Sequence, residues 1–161
     1  MSTRPTDLIA QLALQPHPEG GHYARTFRSS AQVHPDDGRS ARSALTAIYF
    51  LLESGGFSAW HQVRSDESWH WYEGDPMELF MAPAAGGEIR SVRLGALADG
   101  GVPQCVVPAG WWQAARPTGA YALVGCTVGP GFEFADFVLL SMVDAQERPV
   151  LMPAPLAESL L

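Results

Sequence analysis

The stretch "AWHQVRSDESWHWYEG", Ala59 to Gly74, decides how the chain is read. It sets His61, Glu67 and His70 among three tryptophans and closes on a glycine. Both flanks of "RSDE" are short, aromatic and β-branched, which is a strand signature. The sequence therefore predicts Phe57–Val63 and Glu67–Tyr72 as two strands paired across that turn. Side chains alternate along a strand, so Ala59, His61 and Val63 share one face, and Glu67, Trp69 and Trp71 share another. His70 and Tyr72 face away from Glu67. The stretch thus offers one convergent pair, His61 with Glu67.

The same pattern continues outward. "HYARTF", "SALTAIYFLL", "MELFMA", "EIRSVRL", "QCVVP", "WWQAARP", "YALVGCTV" and "FADFVLLSMV" are strand-like, and Gly-, Pro- and Asp-rich turns separate them. Roughly ten such runs point to an antiparallel sandwich or barrel. A helix over 6–15 precedes them, with Thr6 as N-cap, Leu8, Ile9 and Leu12 as its apolar face, and Pro16 and Pro18 as its stop. A second short helix is expected in "PLAESLL". One domain is expected over 1–161, with the β-barrel at about 20–143 and a C-terminal tail at 144–161. The polar segment "RSSAQVHPDDGRSARS", 28–43, reads as a mobile loop over one end of the barrel.

Composition bounds the function. Of 161 residues 47% are hydrophobic and 17% charged, which argues against disorder. The net charge is −7 and no basic run occurs, so no nucleic-acid or membrane partner is expected. No apolar run is long enough to span a bilayer, and no secretory leader is evident, so a cytoplasmic protein is expected. There is no lysine, which excludes Schiff-base chemistry by this chain. Cys105 and Cys126 match no zinc spacing and read as buried free thiols.

Two motifs carry a resemblance. Gly56 precedes His61, Glu67 follows, and Gly74 comes after six intervening residues; further on, "PAGWWQ" (Pro108–Gln113) has the frame Pro-x-Gly-x-x-His with Gln in the last place. Together they resemble the two motifs of the cupin superfamily. That resemblance implies an all-β fold, a double-stranded β-helix or jelly-roll barrel with a short N-terminal helix. Where metal-binding cupins carry His, His, Glu and His, this chain has His61, Val63, Glu67 and Gln113. "LQPHPEGGHYARTFRS", "TAIYFLL", "VVPAGWWQAARP" and "TVGPGFEFADF" extend the likeness to nearly the whole chain. On them it is identified as a member of the cupin subfamily DUF985, or cupin type 5. The subfamily is similar in fold to the deoxysugar-nucleotide 3,5-epimerases, and its members are generally homodimers, so a homodimer is expected.

Three functional readings follow. The first is a metal-independent isomerase or epimerase of a small polar metabolite, such as a sugar or sugar nucleotide. Here His61 removes a proton beside a carbonyl, Glu67 orients it, and Tyr23 returns a proton. Gln113 and Arg25 or Arg28 position the ligand. The second is a metal-dependent oxygenase or isomerase, with a divalent metal on His61, Glu67, Gln113 and water. The third is a non-catalytic module that binds a small ligand.

Other residues keep two readings. Trp69 and Trp71 either wall the pocket or pack the core. His70 acts across a dimer interface or is a satisfied structural histidine. Glu19, Tyr23, Arg25 and Arg28 in "PEGGHYARTFR" either meet the ligand or form an edge strand. Asp136 is either a ligand contact or a buried carboxylate in an aromatic strap.

Overall fold

The computed structural model describes residues 3–161. Two sheets stack face to face. Ten main strands build them: β1 (His22–Arg28), β2 (Thr46–Glu53), β3 (Ser58–Gln62), β4 (Asp66–Gly74), β5 (Met77–Ala82), β6 (Arg90–Leu94), β7 (Gln104–Val107), β8 (Trp112–Pro117), β9 (Tyr121–Gly129) and β10 (Val138–Leu139). Sheet one runs Gln15–Pro16, β1, β2, β9, β4, β7, and sheet two runs β6, β5, β8, β3, β10. All of these neighbours are antiparallel. From β2 to β10 the chain passes repeatedly from one sheet to the other, as in a jelly roll. The sheets are not closed into one hydrogen-bonded barrel, so the expected barrel is a sandwich.

The expected β3–β4 hairpin does not form. β3 pairs with β8 and β10, whereas β4 pairs with β9 and β7. Val63–Ser65 therefore cross from one layer to the other. The predicted convergence survives this change, because both strands turn one face to the space between the sheets.

Alternation sorts the apolar residues into three clusters. The inward faces supply Phe50, Leu52, Trp69, Leu79, Met77 and Val124 to the central core. The outward face of sheet two carries Trp60, Phe80 and Trp112, which the C-terminal segment covers with Leu140, Leu151 and Leu160. That segment is held by a short parallel pairing of Leu151–Met152 with Gly87–Glu88, and by α2 (Ala154–Glu158). On the outward face of sheet one, Leu51 and Leu123 meet Leu8 of α1 (Arg4–Gln11) and Leu14. Burying a side chain such as Leu8 contributes about 2 kcal/mol.

α1 starts earlier than its sequence suggests. Its N-cap is Thr3, not Thr6, and Pro5 lies in the first turn, where its fixed φ and missing N–H cost nothing. It stops at Gln11, and Ala13 at φ 52° turns the chain well before the prolines.

Segment 28–43 is pinned rather than loose. Gln32–Val33 pairs with Arg42–Ser43. Arg39 Nη1 reaches Asp136 at 3.2 Å and Ser65 Oγ at 2.9 Å, and Arg42 Nη1 donates to the same Asp136 oxygen. Arg42 and Asp136 are 3% and 4% exposed, so the pair is desolvated and strong only while complete.

Candidate active site

A cavity of about 750 Å³ opens at the β1 end of the sandwich. Its inner wall holds His17, Glu19, His61, Val63, Glu67 and Cys126. Its mouth holds Tyr23, Arg25, Arg28 and Glu133, and Phe132, Phe134 and Phe137 line one side.

Each inner side chain has a local reason for its position. β3 alternates, so Trp60 goes to the outer cluster and His61 points inward. His61 Nδ1 lies 2.7 Å from the Ala59 carbonyl oxygen, which accepts its hydrogen. That leaves Nε2 as the lone-pair nitrogen, and Nε2 lies 3.2 Å from Glu19 Oε2. Glu19 sits in the tight turn "HPEGG", closed by bonds from Gly20 N–H to the His17 oxygen and from His17 N–H to the Gly21 oxygen. Gly20 has φ 110°, and any Cβ there would overlap the Phe57 carbonyl, so only glycine fits. The Ser58 hydroxyl donates to Glu19 Oε1 at 2.7 Å.

The protonation states follow from burial. Burial pushes Glu19 up to about 8, with the Ser58 hydrogen bond opposing. It is therefore mainly a neutral acid at pH 7, and its O–H donates to His61 Nε2. Burial lowers His61, against the pull of Glu67. Burial also raises Glu67, against His61. His17 is pushed down to about 4 by burial and by the neighbouring His61 charge. Its Nδ1 accepts from the Glu19 backbone N–H, and its ring stands edge-on to Tyr23 at 4.5 Å.

Glu67 is held from the other side. Gln113 Nε2 donates to Glu67 Oε2 at 2.7 Å, and Trp69 Nε1 donates to Gln113 Oε1 at 2.8 Å. The carboxylate in hydrogen-bond contact with His61 is thus Glu19; Glu67 acts on it electrostatically.

The sequence-derived site residues divide accordingly. His61, Glu67, Tyr23, Arg25 and Arg28 come together around the cavity. Gln113 lies behind Glu67 and braces it instead of facing the cavity. Trp69 and Trp71 do not reach the cavity: Trp69 fills the core beside Phe50, and Trp71 Nε1 bonds the Asp75 carbonyl. The phenylalanines of "PGFEFADF" form the wall that those indoles were expected to supply. His70 points to the outward face of sheet one, opposite Gln104 and Gly125. Asp136 is committed to Arg39 and Arg42 outside the cavity. His17 and the role of Glu19 were missed. The available signal was a His and a carboxylate two residues apart, just before a double glycine.

The residues do not fit the metal set that the motifs imply. Gln113 Oε1 is taken by Trp69, Val63 has no donor atom, and Glu19 stands against His61 Nε2. Among the described residues no group of three or more His, Cys, Asp or Glu side chains is placed to hold an ion. A transition-metal site needs three or four such ligands.

Comparison with known proteins places the family and the fold. The family described as cupin superfamily (DUF985) matches residues 6–140. A hypothetical protein from Leishmania major is 32% identical, with a TM-score of 0.77 over 88% of this chain and 93% of that one. A structural-genomics protein from Shewanella oneidensis is 36% identical, with a TM-score of 0.76 over 86% of this chain and 85% of that one. Oxalate decarboxylase from Bacillus subtilis is similar in fold at 11% identity, with a TM-score of 0.58 over 78% of this chain and 30% of that one. A search of curated proteins gives no match. No helix among the described residues is long and apolar enough to cross a membrane.

Proposed function

The chain belongs to the cupin superfamily, in its DUF985 family, and on that premise we propose that it binds a small polar metabolite in the sandwich cavity and transfers a proton on it without a metal. The reaction class is isomerisation or epimerisation beside a carbonyl, with a sugar or sugar nucleotide as the model substrate. The observation that carries this reading is the buried contact between His61 Nε2 and Glu19 Oε2 at the cavity wall.

A neutral acid hydrogen-bonded to a neutral imidazole is a base and an acid in one unit. A ligand carbonyl entering beside Glu19 Oε2 competes with Nε2 for the acidic proton. Glu19 then gives that proton to the developing enolate oxygen, while Nε2 takes one from the adjacent carbon. The products are an enol, a Glu19 carboxylate and a His61 imidazolium, whose opposite charges stabilise each other. The enol O–H then returns its proton to Glu19 while carbon takes one either from His61 on the same side, which restores the pair, or from Tyr23 on the opposite side, in which case the His61 proton is released to solvent and the Tyr23 phenolate takes one up from it before the next turnover. Glu67, fixed by Gln113, favours the imidazolium electrostatically. The same reading has a cytoplasmic homodimer with no nucleic-acid or membrane partner; its support is the acidic composition and the family resemblance.

The test is hydrogen–deuterium exchange at carbon. Sugar nucleotides and small ketones are incubated with the protein in D₂O and followed by NMR. Solvent deuterium should enter at least one ligand, at a rate reduced about 10²- to 10⁴-fold by His61→Gln or Glu19→Gln. A ligand that binds in the cavity and exchanges no carbon-bound hydrogen would make the protein a binding module.

A further inference from the structure

The mouth of the cavity carries two cations that a regular strand would not place together. Arg25 and Arg28 both lie on β1, three residues apart. In an unbroken strand an odd separation sends side chains to opposite faces. β1 is not unbroken. Arg25 lies opposite Ile48 and Phe27 opposite Ala47, so Thr26 is an extra residue against β2. Such a bulge shifts the phase of everything after it. As a result Arg25 and Arg28 both line the cavity.

The mouth is short of negative charge. Glu133 lies there, but it is 3.9 Å from Arg28 and 4.0 Å from Arg42, so it is shared and loosely held. Deeper in, Glu19 is a neutral acid and His17 a neutral base at pH 7, and Glu67, the carboxylate at the inner wall, is engaged by Gln113 and faces His61. Beside the arginines, Phe132 and Phe134 meet edge-to-face at 5.0 Å, and Phe137 extends that wall to His61 at 5.4 Å. Phe134 is half-exposed although it lines the cavity, which leaves a ring face open to a ligand.

We infer that Arg25 and Arg28 form an oxyanion clamp at the cavity mouth, and that the ligand is a carboxylate or phosphate with a planar ring, such as the base of a nucleotide, that lies against Phe134 and Phe137. Two guanidiniums bind an oxyanion in charge-assisted, bidentate fashion, and edge-to-face contacts favour a planar ring. The inference builds on the proposed proton transfer, because the clamp sets the ligand's orientation toward His61.

Isothermal titration calorimetry on the whole chain, at about pH 7 and low salt, tests it with four probes: phenyl phosphate, benzoate, inorganic phosphate and benzyl alcohol. A ring-bearing oxyanion should bind at least about tenfold more tightly than either benzyl alcohol or inorganic phosphate. Whether phenyl phosphate or benzoate is tighter identifies the oxyanion. The Arg25→Gln/Arg28→Gln variant should lose that advantage. Both side chains are exposed, so the substitutions leave the core intact.

Equal binding of benzyl alcohol, unchanged affinity in the double variant, or no binding of any probe would each overturn the clamp. His61→Gln separates the two readings: it should abolish deuterium exchange and keep the oxyanion affinity. Exchange with no clamp would defeat only this inference, and a clamp with no exchange would defeat only the proposed chemistry.

Discussion

His61 and Glu19 face each other across 3.2 Å, one from the middle of a strand and the other from a glycine-locked turn 42 positions earlier in the chain. The contact places a protonated carboxyl, 8% exposed, against an imidazole that is 2% exposed.

Glu19 is raised in the folded state to about 8 from 4.5. The folded protein therefore holds a proton that the unfolded chain releases. Stability from this group is full below about 4.5 and is lost as pH rises through 8. Glu19→Gln keeps a donor toward Nε2 and an acceptor for Ser58 but cannot titrate. Urea unfolding across a pH series should show wild type losing stability relative to the variant between those limits, and no further change above them.

His17 works in the opposite direction. Its folded value is about 4 against 6.5. Its contribution is full above 6.5 and is lost as pH falls through 4. His17→Phe keeps a ring beside Tyr23, so wild type should lose stability relative to this variant on acidification across that window. The same urea series reads it. Between 4.5 and 6.5 the two groups oppose each other, so the uncorrected wild-type curve should be flatter there than either difference curve.

The outer anchor at Asp136 makes a simpler prediction. Asp136→Ala strands the Arg42 guanidinium, which is 3% exposed and has only Glu133 at 4.0 Å as a remaining carboxylate, while Arg39 keeps Asp37 at 2.8 Å. The cost should be about 3–5 kcal/mol, measured as a lower urea midpoint at unchanged slope.

The missing metal ligands can be put back. Val63 lines the cavity beside His61, and Gln113 braces Glu67. Val63→His with Gln113→His supplies the His, His, Glu, His set of the metal-binding cupins. The double variant should take up Mn(II) or Zn(II) stoichiometrically, measured by inductively coupled plasma mass spectrometry after desalting, while wild type stays well below that level.

Local periodicity made the antiparallel β class and half of the candidate site legible in the sequence, while the jelly-roll topology came with the family resemblance. Alternation placed His61 and Glu67 inward, and it did so even though the hairpin expected between them is a crossing between layers. Glu19 was harder to find. Nothing in "PEGG" says which strand the turn will lie against, and its contact with His61 depends on the stacking of two sheets. The tryptophans misled for a related reason: alternation gives the face of Trp69 but not its depth, and one more pair of residues along β4 lies beyond Gln113. The pairing of Arg25 with Arg28 was hidden by the bulge at Thr26, which no residue in "YARTFR" announces.

The crossing at Val63–Ser65 has a consequence for how the site assembles. His61 and Glu67 belong to different layers yet are separated by only five residues, so bringing them together closes a very short loop and costs little chain entropy. A slip of one sheet past the other would have to stretch that tether. The inner half of the pocket should therefore take shape as soon as the layers first touch, in the folding nucleus. The Glu19 turn, 42 positions from His61, has a much longer loop to close, so the chemical pair is completed after the inner half of the pocket.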